Sequence, residues 1–267
     1  MSDLALRVEM FLGVRGRILL ALIGLLVGCR AHELEQTTEQ TYKIEPTASI
    51  SISNGDGSIF VYGSDRAEII VEATRRAYSQ SRLDKIDIAI TVQPNSAKVE
   101  TRFRPRPRWS FSDRSGTVDY IIVIPQTATI RRLEMDTGEM FIKDMRGGPV
   151  RGKLKNGLLN IHNCFCDLDL AIGIGALSAD FDWWEPRKFS VDARIESAKS
   201  RFVFPGEASF HLIAEAENGN IDNDFTEQEE RTGDGTSKID KVIGETPNAE
   251  IKIHVADGNI EISEQNP

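Results

Sequence analysis

The sequence predicts an all-β protein, a parallel β-solenoid whose coils are about 20 residues long. Three observations carry this. Segments such as Ile86-Asp87-Ile88-Ala89-Ile90-Thr91-Val92 alternate apolar and polar residues with a period of two. A turn residue followed by Gly and then an apolar residue recurs along the chain, and glycine-to-glycine steps of 19 and 18 separate Gly138, Gly157 and Gly175. Aromatic residues make up only 7% of the chain while Gly numbers 21, which suits many short turns.

Taken in order, residues 1–28 read as a signal peptide. Arg15 and Arg17 precede an uncharged apolar run, residues 18–27, and Gly28-Cys29 closes it. The run is about half the ~20 residues that a membrane-spanning helix needs. Leu26-Val27-Gly28-Cys29 resembles the lipobox of bacterial lipoproteins. That resemblance implies cleavage before Cys29 and lipid attachment to its sulfur, so the chain's first expected partner is the membrane. The alternative is an ordinary signal peptide with a chance cysteine near its end. Residues 29–45 are polar and lack sustained periodicity, and read as a lipidated tether.

Removing residues 1–28 takes away Arg7, Arg15 and Arg17 against Asp3 and Glu9, so a net charge of -9 becomes -10. An acidic body has no electrostatic case for nucleic acid. Anionic lipid head groups would repel it as well, which leaves attachment to the lipid. Only Cys164 and Cys166 remain after Cys29, and two cysteines make no disulfide framework.

The solenoid domain is expected over residues 46–263. Its corners are assigned to Gly55, Gly138, Gly157, Gly175, Gly219 and Gly258, because Gly reaches positive φ without a Cβ penalty. The longer steps, 44 from Gly175 to Gly219 and 39 from Gly219 to Gly258, place skipped registers near Ala198 and Lys238. Residues 118–124 are apolar on both faces, as expected of a strand covered on both sides. A short helix is expected around Ala77–Leu83. The alternative architecture is an antiparallel β-sandwich, since Asn-Gly is also a strong hairpin signal.

The order of blocks resembles a known family. Ser51-Ile52-Ser53-Asn54-Gly55-Asp56-Gly57-Ser58-Ile59, then Glu68–Arg75, then Val118–Pro125 and the Gly-Ile repeats after it, are similar to the bacterial "putative adhesin" family of envelope proteins. The resemblance spans about residues 46–263 and implies a right-handed β-solenoid without established catalytic residues. Arg131-Arg132, and Thr137 and Ile174 where Asn or Asp is usual, depart from its pattern.

Candidate sites follow from residue chemistry. His162, Cys164 and Cys166 fall at i, i+2 and i+4, which on a regular strand is one face and could serve a soft metal. No fourth ligand is evident, Asn163 can break the register, and buried cysteines usually pack as small hydrophobes, so no metal is assigned. Arg102, Arg104, Arg106 and Arg108, with Trp109, alternate with Phe103, Pro105 and Pro107. They form either a contact surface for a cell-surface polymer or envelope protein, or a solvated connector. Trp183-Trp184 either stacks on sugars or closes an apolar corner. Asp167, Asp169, Asp180 and Asp182 are loosely grouped, but their spacing singles none out for catalysis.

These features predict a non-enzymatic, lipid-anchored envelope protein with an adhesion or scaffolding surface and no cofactor. The alternatives are a periplasmic sensing or regulatory module and a polysaccharide-active enzyme. Arg30 is not the Asp associated with inner-membrane retention, so the outer membrane is preferred.

Overall fold

The computed structural model describes residues 33–103, 116–226, 230–231 and 235–265. They form one mixed sheet and a single four-residue helix, α1 (Gln80–Leu83), shorter than the sequence suggests. Five long strands set the frame: β2 (Ser49–Ser64), β7 (Thr129–Lys143), β8 (Val150–His162), β9 (Leu168–Asp180) and β10 (Phe189–Phe204). They lie side by side and parallel, in that order. Gly55, Gly138, Gly157 and Gly175 sit inside these strands rather than at hairpin turns.

Burial explains how one strand serves two walls. In β8, Val150, Gly152 and Leu154 are buried before Gly157, and Leu159 and Ile161 after it. The buried positions change parity across the glycine. A slip of one residue reverses every side chain on a strand of period two. Here the backbone bends at the slip, so both arms send their apolar set into one core. The same phase holds around Gly57, Gly175, Ala198 and Gly258. A cross-core contact ties the walls together: Tyr120 and Thr101 share a hydrogen bond of 2.7 Å between their hydroxyls. Burial pushes the Tyr120 phenol up to about 12, which keeps it protonated.

Gly57, Gly138, Gly157, Gly175 and Ala198 are register partners and form one column across the sheet. The five glycines of positive φ nearest this column (Gly57, Gly138, Gly157, Gly175 and Gly258) span 126° to 144°. Two expected corners differ. Gly57, not Gly55, takes the column position; Gly55 instead donates its N–H to Asn54 Oδ1 at 3.0 Å. Gly219 has no positive φ, but a Cβ there would lie 1.8 Å from the Gly258 carbonyl oxygen. Thr137 and Ile174 leave the column intact, because the residue before each glycine points outward; Ile174 is 61% exposed.

The C-terminal half is not stacked in chain order. β11 (Phe210–Asn218), continued by β12 (Ile221–Asn223), does not follow β10 in the sheet. β15 (Ala249–Asp257) and β16 (Ile260–Glu264) lie between them, parallel to both. The register expected at Ala198 is present, since Ala198 pairs with Gly175. Lys238 instead lies on β14 (Ser237–Ile243), antiparallel to β11, with the two-residue β13 (Glu230–Arg231) beyond it.

At the other end, β2 parts its neighbours. Its first arm pairs with β5 (Ser96–Phe103), which carries β4 (Ile86–Gln93) antiparallel. Its second arm pairs with β6 (Thr117–Pro125), followed by β3 (Glu68–Ala77) and then β1 (Leu34–Lys43), both pairings antiparallel. The expected tether over residues 29–45 is therefore corrected. Leu34 to Lys43 form ten consecutive register pairs with β3. The physical reason is the open edge of β3, whose backbone groups need partners whatever the side chains are.

Candidate binding surface

Cys29, Arg104, Arg106, Arg108 and Trp109 lie outside the described residues. Arg102 is exposed at the end of β5, where its Nη2 donates to Glu100 Oε2 at 2.8 Å, and Lys98 Nζ meets the same oxygen at 2.8 Å. Hydrogen bonds from Lys98 and then Arg102 hold the Glu100 carboxyl below its ordinary value. Arg102 is thus engaged within its own strand.

His162, Cys164 and Cys166 do not share one face. β8 ends at His162, and Asn163 follows in the left-handed region at φ 51°. That turn sends Cys164 inward, where its Sγ lies 3.5 Å from the Ile142 carbonyl oxygen, while His162 turns outward. Burial raises both thiols, Cys164 to about 12, so they stay protonated and pack as small hydrophobes. Among the described residues no group of three His, Cys, Asp or Glu side chains is placed to hold a metal ion.

The tryptophan pair divides. Trp184 packs into an aromatic cluster with Phe165, Phe181, Phe189, Phe204 and Phe210, at ring distances of 5.5–6.3 Å. Trp183 is 42% exposed and sits against Arg146, whose guanidinium lies 5.7 Å from the indole and 5.1 Å from the Phe165 ring. The four aspartates do not converge. Asp167 accepts from the Ser190 N–H, Asp169 pairs with Arg194, Ser178 donates to Asp180, and Asn163 donates to Asp182. The Asn163 hydrogen bond is the main cause that holds the Asp182 carboxyl below its ordinary value.

A surface that sequence reading missed lies on the arms after the glycines. With Tyr120, Ile122, Ile59, Val61, Met140 and Ile142 buried, the alternate residues point outward. One row runs Ile121, Phe60, Phe141, Asn160 across β6, β2, β7 and β8; the next runs Val123, Tyr62, Lys143, His162. Phe141 gathers the rings, with centroids 6.0 Å from Phe60, 5.7 Å from Tyr62 and 6.4 Å from His162. His162 Nε2 lies 3.0 Å from Asp182 Oδ2. Expected cover on both faces of residues 118–124 is corrected: nothing described packs over Ile121, which is 41% exposed. The signal was present as the outward apolar residues Ile121 and Val123 of β6 and Phe60 and Tyr62 of β2, but a both-sides pattern reads equally as buried.

No protein-family model and no curated protein sequence matches the chain. Among solved structures, it is similar to a putative cell adhesion protein from Clostridium sporogenes, at 14% identity over 86% of this chain and 100% of that one, with a TM-score of 0.49. It is also similar to a putative adhesin from Bacteroides fragilis, at 10% identity over 85% of this chain and 97% of that one, with a TM-score of 0.27. A putative lipid binding protein from Parabacteroides distasonis is similar at 10% identity over 86% of this chain and 97% of that one, with a TM-score of 0.27.

Proposed function

We propose that the chain is a lipid-anchored protein of the cell envelope that acts by surface contact rather than by catalysis. In this reading its parallel strands wind as a right-handed β-solenoid, held at the outer membrane through Cys29. The observation that carries the contact role is the outward row Ile121, Phe60, Phe141, an apolar strip with a polar border of Asn160, Lys143 and His162. Apolar strips rimmed by polar groups mark interaction sites more often than idle surface. The test is a Phe60→Ser/Phe141→Ser variant in cells. Attachment to surfaces or to other cells should fall while the melting temperature holds. Unchanged attachment would sink the contact role.

A second reading, a membrane-proximal sensing or regulatory module, draws support from β1. Only four residues separate Cys29 from the start of the strand at Leu34, five Cα steps with a reach of about 17 Å when fully extended. A body held that close meets membrane-proximal partners first. Protease treatment of intact cells separates the two, since an adhesin is cut and an inward-facing module is protected.

A further inference from the structure

On the arms before the glycines, β7 takes in one extra residue. Ile50 pairs with Ile130 and Ser51 with Arg132, so Arg131 is inserted; on the other side the register shifts between Ile130 and Leu133. Two arginines thus oppose the single Arg151 of β8. Bulges re-aim side chains, and this one gathers three guanidinium groups, all exposed. Thr129, Ile130, Arg131, Pro149 and Arg151 line an open hollow of about 300 Å³.

The charge there is not cancelled. Arg132 Nη2 pairs with Glu134 at 2.6 Å, but Arg151 reaches Asp169 only at 3.9 Å, and Asp169 lies closer to Arg194, at 3.0 Å. Arg131 makes no ion pair among the described residues, and neither does Lys153, two places beyond Arg151 on β8 and in register with Glu134. Like charges on neighbouring strands are destabilising. A chain of net charge -9 does not need such a cluster for solubility.

We propose that this hollow binds an acidic glycan. A uronate carboxylate is held between Arg131 and Arg151, with the sugar ring against Pro149 and the Thr129 hydroxyl in hydrogen-bonding range of the ring hydroxyls. The guanidinium fork matches a planar carboxylate. The hollow is at the small end of ligand pockets, which suits one sugar unit of a polymer and is roomier than a bare ion requires. This names the polymer class for the envelope-surface reading and rests on it. The two can still fail separately, because the binding measurement needs no cells.

The experiment measures polygalacturonate binding to the purified full-length chain in non-ionic detergent. Binding should weaken with salt and be absent for neutral dextran. Arg131→Gln/Arg151→Gln should weaken it by about tenfold or more without moving the melting temperature. Lys153→Glu, which leaves the bulge untouched, should weaken it too. Arg201→Gln, an exposed arginine on β10 paired with Glu261, should bind as the parent does. No binding by the parent chain, or equal binding by the Arg131/Arg151 variant, overturns the proposal. So does binding of poly(glycerol phosphate) through the same arginines when polygalacturonate does not bind. A chain that binds polygalacturonate but gives no attachment in cells sinks only the adhesive reading.

Discussion

A Cβ added to Gly157 would lie 1.8 Å from the carbonyl oxygen of Gly138, its register partner on the neighbouring strand. Two costs meet at that site, a φ of 137° and a collision with backbone that cannot swing aside. Gly235 separates them, because its φ is 92° and nothing lies within 4 Å of its Cβ position. Gly157→Ala should therefore destabilise well beyond Gly235→Ala, which carries only about 1–2 kcal/mol of dihedral strain. Gly157→Val should cost about 3 kcal/mol or more, or prevent folding. Chemical denaturation of the three variants checks this. Equal losses at Gly157 and Gly235 would mean that the column tolerates a side chain.

The polar sequence of β1 suggests a tether, and its removal should show that it is structural. Deleting residues 34–43 uncovers the edge of β3 and breaks the contacts of Thr37 with Thr74 at 2.9 Å and Glu35 with Arg76 at 3.0 Å. Each kcal/mol lost should lower the melting temperature by about 2–4 °C for a chain of this size. Deleting residues 30–33 instead should leave melting unchanged. The same outcome for both deletions would refute the strand.

How far the sequence could be read follows from these elements. The glycine spacing was legible because most of the repeats share one phase: mainly apolar residues three and five places before the glycine, and two and four after it, as Ile172, Leu170, Leu177 and Ala179 surround Gly175. The order of the strands was not. The strand leading to Gly258 lies between those carrying Ala198 and leading to Gly219, yet its local pattern would fit any place in the sheet. β1 was hidden because Leu34 to Lys43 alternate Thr, Gln and Glu and stay largely exposed; their pairing is a backbone matter. Arg131-Arg132 read as a departure from pattern, whereas the bulge that absorbs it appears only once Ile50 and Ser51 set the register. The exposure of Ile121 was not legible, because the pattern of residues 118–124 reports which residues share a face, not what lies over it.

The buried thiols give a pH dependence of known sign. Burial raises Cys164 from 9.0 to about 12 and raises Cys166 as well. An unfolded thiol then loses its proton first as pH rises. Stability from the neutral thiols is complete below pH 9 and declines between pH 9 and about 12, by at most about 1.4 kcal/mol per pH unit for each thiol. A Cys164→Ala/Cys166→Ala variant should lose that part of the alkaline slope, measured by denaturation at stepped pH. A native Cys29→Ser chain at pH 8 should also resist thiol reagents until unfolded. Rapid labelling of that chain would contradict the burial of both sulfurs.

Arg146 offers the sharpest test of the corner after β8. Its Nη1 donates to the Asn163 carbonyl oxygen at 2.8 Å, its Nε meets Glu185 at 2.9 Å, and its guanidinium lies 5.1 Å from the Phe165 ring and 5.7 Å from the Trp183 ring. Removing it takes away two cation–π contacts and the ion pairs with Glu185 and, at 4.0 Å, Asp144, and leaves a carbonyl of the left-handed Asn163 without its partner. Arg146→Ala should cost about 1–3 kcal/mol and loosen Trp183, read as a red shift and faster quenching of tryptophan emission. Arg146→Lys keeps the charge but loses the planar stacking and the fork, so it should recover only part of the loss. If lysine restores full stability, charge alone holds the corner. If alanine costs nothing, the aromatic cluster around Trp184 is sufficient and Arg146 is surface decoration.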